Sequence, residues 1–174
     1  AMTRVLLAVR AAAPRLVAGV QVLSGGNREA LAIALAGGAA FIRCENFVFS
    51  HVADEGLLHK AEAGPLLRYR RAIGAGNVSI FCDVKKKHAS HAITADLSIA
   101  DAVEGAAFFG ADGVIITGSS TGKPANPDDV VEAGRPSSLP VLVGSGVTPE
   151  TVRTLFKHAD GLIVGSYIKR GGNW

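Results

Sequence analysis

The sequence predicts an α/β fold of the (β/α)8-barrel or TIM-barrel type, present as a partial barrel of about six parallel strands. Short apolar runs alternate with helical patterns along all 174 residues, which is typical of parallel strands joined by right-handed crossovers. Connections from helix to strand are short, whereas those from strand to helix are long. The last two strands both stop at a glycine corner, and TIM barrels commonly bind phosphate after two such neighbouring strands.

Individual elements follow from local signals. Apolar runs rich in β-branched residues indicate buried strands, and a hydroxyl or amide side chain, or a proline, at the start of a helical pattern indicates where a helix begins. The predicted elements are, in order, a helix from Met2 that ends before Pro14, a strand at 16–23, a helix capped by Asn27, a strand at 40–46, a helix after Pro65, a strand at 78–85, a helix capped by Ser98, the strand Gly113–Thr117, a helix opened by Asn126 and Pro127, and the two strands that end at the glycine corners.

The three longest connections all follow a strand, at 47–64, 86–97 and 118–126. They therefore lie at the carboxyl ends of the strands, where α/β proteins place their binding sites. We expect them to be unstructured loops that carry function.

Six strands cannot close an eight-stranded barrel, so either an open doubly wound sheet or part of a barrel is expected. The chain begins on a helix and stops after its last strand. We therefore expect one partial TIM-barrel domain over residues 1–174 that lacks an N-terminal βαβ portion and the last helix. Unpaired edge strands would leave pairing between copies, as a homo-oligomer, open.

The composition of the chain limits the kinds of ligand and the cellular location that we expect. The chain is 48% hydrophobic with a net charge of +3, and this mild basicity suits an acidic small ligand. Cys44 and Cys82 lie in apolar runs, which favours buried reduced thiols over a disulfide or metal pair. No apolar run reaches the ~18 residues of a membrane span. We expect no transmembrane segment and a cytoplasmic location, with organellar targeting left open because the N-terminus looks truncated.

The two glycine corners are the strongest predicted site. The first reads VLVGSGVTPE over 141–150, where Thr148 and Pro149 should open an amphipathic helix, and the second reads ADGLIVGS over 159–166. Glycine turns before a helix aim backbone N–H groups at one point, which suits an anion. The alternative is that the glycines only permit close helix–strand packing. The predicted phosphate-binding residues are Gly144, Ser145, Gly146, Val147, Gly165 and Ser166.

Polar residues inside the apolar strands form a second candidate group. Alternation along a strand places Arg43 on the face of Glu45, and Asp83 on that of Lys85. Buried charges need a partner or a function, so we expect these four side chains to point into the barrel mouth. Asp83 and Lys85 are candidates for acid/base catalysis, with a structural ion-pair network as the alternative.

The strand ends and the connections that follow them supply the remaining pocket candidates: Asn46, His88, Thr117 and Thr121. The run from Lys85 to His88 could contact an anion or be a solvated charge run, and it lacks the interleaved aromatics of a nucleic-acid surface. Spacing of the histidines predicts no metal site. The cofactor remains unknown, and a divalent ion shared with a substrate phosphate stays open. The GSSTGK segment at 118–123 does not match a nucleotide-binding loop, because its glycines are too close together.

Several segments together carry a resemblance to a known family. They are AMTRVLLAVR, FIRCENF, LLRYRRAIGA, IFCDVKKKHAS, DGVIITGSSTGKPANPDDV, VLVGSGVTPETV and ADGLIVGSYIK. With them the chain resembles the BtpA/SgcQ family, which is labelled for photosystem I biogenesis but occurs far beyond photosynthetic organisms. The resemblance implies a ribulose-phosphate-binding-like TIM barrel. It also implies that the chain begins in the helix after strand two of the barrel and ends after strand eight.

These observations favour a protein that binds a phosphorylated small metabolite at the carboxyl ends of its strands. By analogy of fold and site, the reaction would be that of a lyase, isomerase or transferase on a sugar-phosphate or nucleotide-like compound. The alternative is a non-catalytic assembly or biogenesis factor that keeps a phosphate-binding pocket.

Overall fold

The computed structural model describes residues 1–172. Its main sheet has six strands in the order β1-β2-β5-β7-β8-β9, and every neighbouring pair is parallel. The strands curl into part of a barrel with the helices on the outer face. The predicted fold class is therefore confirmed.

The elements alternate as the sequence predicts. The helices are α1 (Met2–Ala12), α2 (Asn27–Gly37), α3 (Ala63–Ala72), α4 (Ile99–Phe108), α5 (Pro127–Ala133) and α6 (Val152–Leu155). The strands are β1 (Gly19–Val20), β2 (Phe41–Cys44), β3 (His51–Ala53), β4 (Gly56–Leu58), β5 (Ser79–Val84), β6 (Ala89–Ser90), β7 (Gly113–Thr117), β8 (Val141–Gly144) and β9 (Gly161–Ile163).

The core lies between the sheet and its helices. Alternate residues of the central strands, such as Ile42, Ile80 and Val114, are buried in one apolar cluster with Leu31 and Val103 of the helices. Cys44 and Cys82 lie opposite each other in register and are buried free thiols. Burial raises the pKa of both thiols. The two thiols are therefore protonated packing groups at neutral pH.

The prediction of unstructured loops was wrong for two of the three long connections. The first contains the β3–β4 hairpin and the second contains β6, and the three strands form an antiparallel sheet in the order β4-β3-β6. Each strand has only two or three residues, which is too short for a clear period-2 pattern. This small sheet ties two connections together beside the strand ends.

Three predicted boundaries also differ from the structure. β1 is two residues long, where a strand over 16–23 was expected. Asn27 is the first residue of α2 rather than its cap, because its side chain is bonded elsewhere. Thr148 and Pro149 begin a turn, and regular helix starts only at Val152. By contrast, Ser98 and Asn126 cap their helices as predicted.

None of the helices within residues 1–172 is both long enough and apolar enough to cross a membrane.

Candidate functional site

The two glycine corners face one cavity of about 170 Å³. Strands β8 and β9 are paired, with Gly144 in register with Ile163, so the segments that follow them are neighbours. All six predicted phosphate-binding residues line this cavity: Gly144, Ser145, Gly146, Val147, Gly165 and Ser166. Most of the Val147 side chain is buried. Arg43, Lys87 and Lys169 line it as well. The structure thus brings the two corners together with basic side chains beside them.

The first corner has an unusual backbone held by its neighbours. Ser145 and Gly146 are both left-handed, with φ of 74° and 62°. A Cβ at Gly146 would lie 2.4 Å from backbone atoms of Pro124, so only glycine fits this approach. Thr151 donates its hydroxyl to the Gly146 carbonyl at 3.0 Å and accepts from the Thr148 N–H at 2.9 Å. The sequence analysis did not identify Thr151 as a residue that holds this turn. Its position three residues after Thr148 is the spacing at which a polar side chain can bond to the backbone of the earlier residue.

Backbone N–H groups at both corners are available to a ligand. Within residues 1–172, the N–H groups of Gly146, Val147, Gly165 and Ser166 donate no hydrogen bond to another protein atom. Backbone donors at the surface of a protein are normally satisfied by water or by a ligand. Successive unpaired N–H groups in a tight turn form an anion-binding concavity.

An ion pair lies at the centre of the barrel mouth. Arg43 Nε and Nη2 donate to the two oxygens of Asp83 at 2.9 and 3.0 Å, in a bidentate pair. The Asp83 side chain is 2% exposed, against 17% for Arg43. Burial raises the pKa of Asp83, although the charge and hydrogen bonds of Arg43 oppose this rise. Asp83 is thus a buried carboxylate whose proton affinity exceeds that of a surface aspartate.

Lys85 does not share the barrel mouth with Asp83, contrary to the expectation from strand alternation. β5 ends at Val84, and Lys85 adopts a left-handed backbone with φ of 45°. Its Nζ donates to the Leu97 carbonyl just before α4. Strand alternation cannot be extrapolated past such a residue, which is why the sequence argument failed here.

The next two lysines occupy the mouth instead, and their side chains diverge. Lys86 is buried, and its Nζ lies 3.6 Å from Glu45 Oε1 and 3.5 Å from Glu55 Oε2. Lys87 Nζ reaches the other way, to Thr121 Oγ1 at 3.3 Å and Ser145 Oγ at 3.4 Å. Desolvation, followed by the charge of Arg43, lowers the pKa of Lys87. Lys86 and Lys87 of the basic run therefore line the cavities at the barrel mouth, whereas Lys85 does not.

The connection at 118–126 closes over the first corner. Thr121 Oγ1 lies 3.0 Å from His88 Nε2, and Gly122 lines the corner cavity. A second cavity of about 300 Å³ adjoins the corner cavity and shares Arg43, Lys87 and Thr121 with it. Glu45 and His88, both predicted pocket residues, line this second cavity.

Two other predicted residues, Asn46 and Thr117, lie apart from both cavities. Asn46 and His51 line a small cavity of about 30 Å³ behind Asp83, where Asn46 Oδ1 and His51 Nε2 are buried without a hydrogen-bond partner among residues 1–172. This volume is enough for a water molecule. Thr117 Oγ1 is also buried and unpaired in the same part of the chain. Burial and the charges of His91 and Lys86 lower the pKa of His51 to about 4.

In the part of the chain that the structure describes, no group of three or more histidine, cysteine, aspartate or glutamate side chains could hold a metal ion.

The parallel strands and the glycine corners at their carboxyl ends define a TIM-barrel protein. Solved structures with this fold include a phosphonomutase of Burkholderia cenocepacia, at 21% identity and a TM-score of 0.62 over 92% of this chain and 68% of that one. They also include orotidine 5'-monophosphate decarboxylase of Methanocaldococcus jannaschii, at 15% identity and a TM-score of 0.63 over 98% of this chain and 74% of that one. At these identities the likeness shows the fold alone.

The chain belongs to the BtpA family, whose model matches residues 1–174. It is 48% identical to the mitochondrial protein F13E9.13 of Caenorhabditis elegans over 92% of this chain and 57% of that protein. It is 38% identical to the photosystem I biogenesis protein BtpA of Synechocystis over 89% of this chain and 53% of that protein. The chain thus spans little more than half the length of these relatives. The resemblance read from the sequence is confirmed.

Proposed function

We propose that this protein binds a phosphorylated small metabolite, with the phosphate group between the two glycine corners. One observation carries the proposal: two adjacent turns with unpaired N–H groups line one cavity together with Arg43 and Lys87. Backbone N–H groups and basic side chains are the donors that proteins use for phosphate. The solved phosphonomutase and decarboxylase with this fold are named for reactions of phosphorus-containing compounds, which supports the same class of ligand.

The position of the Arg43–Asp83 pair suggests what chemistry follows. Arg43 lines both cavities and Asp83 lines the larger one, so a ligand anchored at the corners would have its adjoining carbon atoms beside Asp83. A buried carboxylate with a raised pKa can accept a proton from such an atom and return it. Arg43 would hold that carboxylate in place and offset the negative charge that forms.

Lys87 is the second group that we assign to the reaction. Its lowered pKa brings the amine nearer to the point where it exchanges protons at neutral pH. Its Nζ lies at the border between the two cavities. We retain Asp83 as the proposed acid/base residue and place Lys87 in the role first expected of Lys85.

The test separates binding from turnover. A panel of phosphate monoesters should raise the melting temperature of the protein, by an amount equivalent to ~2–3 kcal/mol at saturation. The substitution Asp83→Asn should preserve this shift and abolish turnover of whichever ester is a substrate, while Lys85→Met should retain turnover. Circular dichroism establishes that each variant is folded.

Two outcomes decide the proposal. Failure of every phosphate monoester to shift the melting temperature would overturn it. Binding that persists while no ester is turned over would instead favour an assembly or biogenesis factor that senses a metabolite, in keeping with the name of the Synechocystis relative.

A further inference from the structure

The cavity that adjoins the glycine corners has its charges sorted by sign. The side shared with the corner cavity carries Arg43 and Lys87, and the Asp83 carboxylate beside them is paired with Arg43. The remaining lining includes Gln21 and three carboxylates, those of Glu45, Asp54 and Glu55, with Lys86 among them. We call this set of five residues the acidic end. Three carboxylates against one ammonium leave it with a net negative charge.

Glu45 offers a buried acceptor to this cavity. Its Oε2 accepts a normal hydrogen bond from the Gly25 N–H at 2.8 Å. Its Oε1 has only long contacts, 3.4 Å to Gln21 Nε2 and 3.6 Å to Lys86 Nζ. Protein hydrogen bonds from nitrogen to oxygen lie mostly between about 2.7 and 3.2 Å. The Glu45 side chain is only 7% exposed, and yet one of its carboxylate oxygens has no close hydrogen-bond donor. Burying a carboxylate oxygen without a donor costs free energy.

The β3–β4 hairpin places the other two carboxylates. Asp54 and Glu55 form its turn, between Ala53 and Gly56. The Asp54 N–H donates to the His88 carbonyl at 3.1 Å, which fixes the turn against the connection that carries Lys86 and Lys87. Glu55 Oε2 lies 3.5 Å from Lys86 Nζ. The small antiparallel sheet thus holds these acceptors over the cavity.

From this arrangement we infer the substrate class: a phosphate monoester of a polyhydroxy compound, with its hydroxyl groups at the acidic end. The inference rests on the proposed phosphate site. Hydroxyl groups donate well to carboxylates and the Gln21 carbonyl, and they accept from Lys86. A second phosphate or a carboxylate in that place would face three like charges, so a bisphosphate is rejected. An alkyl phosphate would leave the same polar groups unpaired.

The experiment compares three ligands that share one phosphate group on a five-carbon skeleton and differ in the hydroxyl groups or in a second phosphate. Isothermal titration is carried out with D-ribose 5-phosphate, with n-pentyl phosphate, which has the same carbon count without the hydroxyls, and with D-ribose 1,5-bisphosphate. Ribose 5-phosphate should bind about tenfold more tightly than either of the others, since each hydrogen bond to a charged group is worth about that factor.

The double substitution Asp54→Asn with Glu55→Gln should shrink both ratios to about threefold or less, because it removes two charges and keeps the shape of the hairpin turn. Glu104→Gln, at an exposed position on α4, is the matched control and should preserve both ratios. A second variant, Glu45→Gln, tests the buried oxygen and should weaken ribose 5-phosphate more than pentyl phosphate.

The outcomes separate the two proposals. Equal affinity for all three ligands would overturn the assignment of the substrate class and leave the phosphate site in place. Tighter binding of ribose 1,5-bisphosphate than of ribose 5-phosphate would also overturn the assigned substrate class and leave the phosphate site in place. Absence of binding by all three would overturn the phosphate site and this inference with it.

Discussion

The left-handed backbone at Gly146 is the most demanding feature of the site at the scale of single residues. Its φ is 62°, and an added methyl group would meet the Pro124 backbone at 2.4 Å. Backbone atoms cannot move aside as the end of a flexible side chain can. The glycine therefore serves both the turn and the closing of the 118–126 connection over it.

We predict that Gly146→Ala destabilises the fold by about 1–3 kcal/mol and weakens phosphate binding at least tenfold. Urea unfolding and titration with a phosphate monoester measure the two effects. Gly76→Ala is the matched control, because a Cβ there meets nothing within 4 Å. Equal effects of both substitutions would show that the close approach at Gly146 has no role.

His51 gives a prediction for pH. Its pKa is about 4 in the folded protein and near 6.5 ordinarily, so between these values the unfolded chain binds a proton that the folded chain does not. Its contribution to stability is therefore complete above pH 6.5 and is lost as the pH falls towards 4, by up to about 3 kcal/mol. The substitution His51→Gln should flatten the unfolding free energy in this window, whereas His59→Gln, at an exposed histidine, should not. An unchanged pH dependence in His51→Gln would refute the assignment.

At the scale of elements, Asn27 joins three of them. Its side-chain nitrogen donates to the Glu45 carbonyl at 2.8 Å and to Glu62 Oε2 at 2.7 Å, and its oxygen accepts from the Glu45 N–H at 3.1 Å. The start of α2 is thereby fixed to the end of β2 and to the residue before α3. This explains why a residue with the signature of a helix cap does not act as one.

Replacing this amide should be costly. Asn27→Ala leaves the backbone groups of Glu45 and the Glu62 carboxylate without their partner, and we expect a loss of about 2–4 kcal/mol in the free energy of unfolding. Asn77→Ala, at an exposed position, should change it by less than about 0.5 kcal/mol. Chemical denaturation of both variants measures this. Similar small losses would mean that the clamp contributes nothing.

The whole molecule has apolar surface at its β1 edge. Val5 and Val9 of α1 are 62% and 52% exposed, and Leu16 and Val17 before β1 are 71% and 75% exposed. Exposed apolar surface next to an edge strand favours association. We predict that this 174-residue chain self-associates as its concentration rises, and that Val17→Lys reduces this association. Sedimentation velocity over a concentration series tests both statements, and a concentration-independent monomer would contradict them.

The sequence predicted the main sheet better than it predicted the side chains and small strands around the site. Hydrophobic patterning gave the six parallel strands and the corner residues, because buried strands and glycine turns leave strong local signals. It did not predict that Lys86 and Lys87, rather than Lys85, line the cavity beside Asp83. Their positions depend on the left-handed backbone of Lys85, one residue beyond the strand. It also missed the β4-β3-β6 sheet, because pairing between two- and three-residue strands from distant connections is set by tertiary contacts.

The most direct test of the phosphate site is a titration followed by amide chemical shifts in ¹⁵N-labelled protein with a phosphate monoester. The account predicts saturable shifts of the amides of residues 144–147 and 165–166, with one common dissociation constant, and their loss in Gly146→Ala. Shifts confined to other basic surfaces, or a response of only one of the two corners, would contradict it.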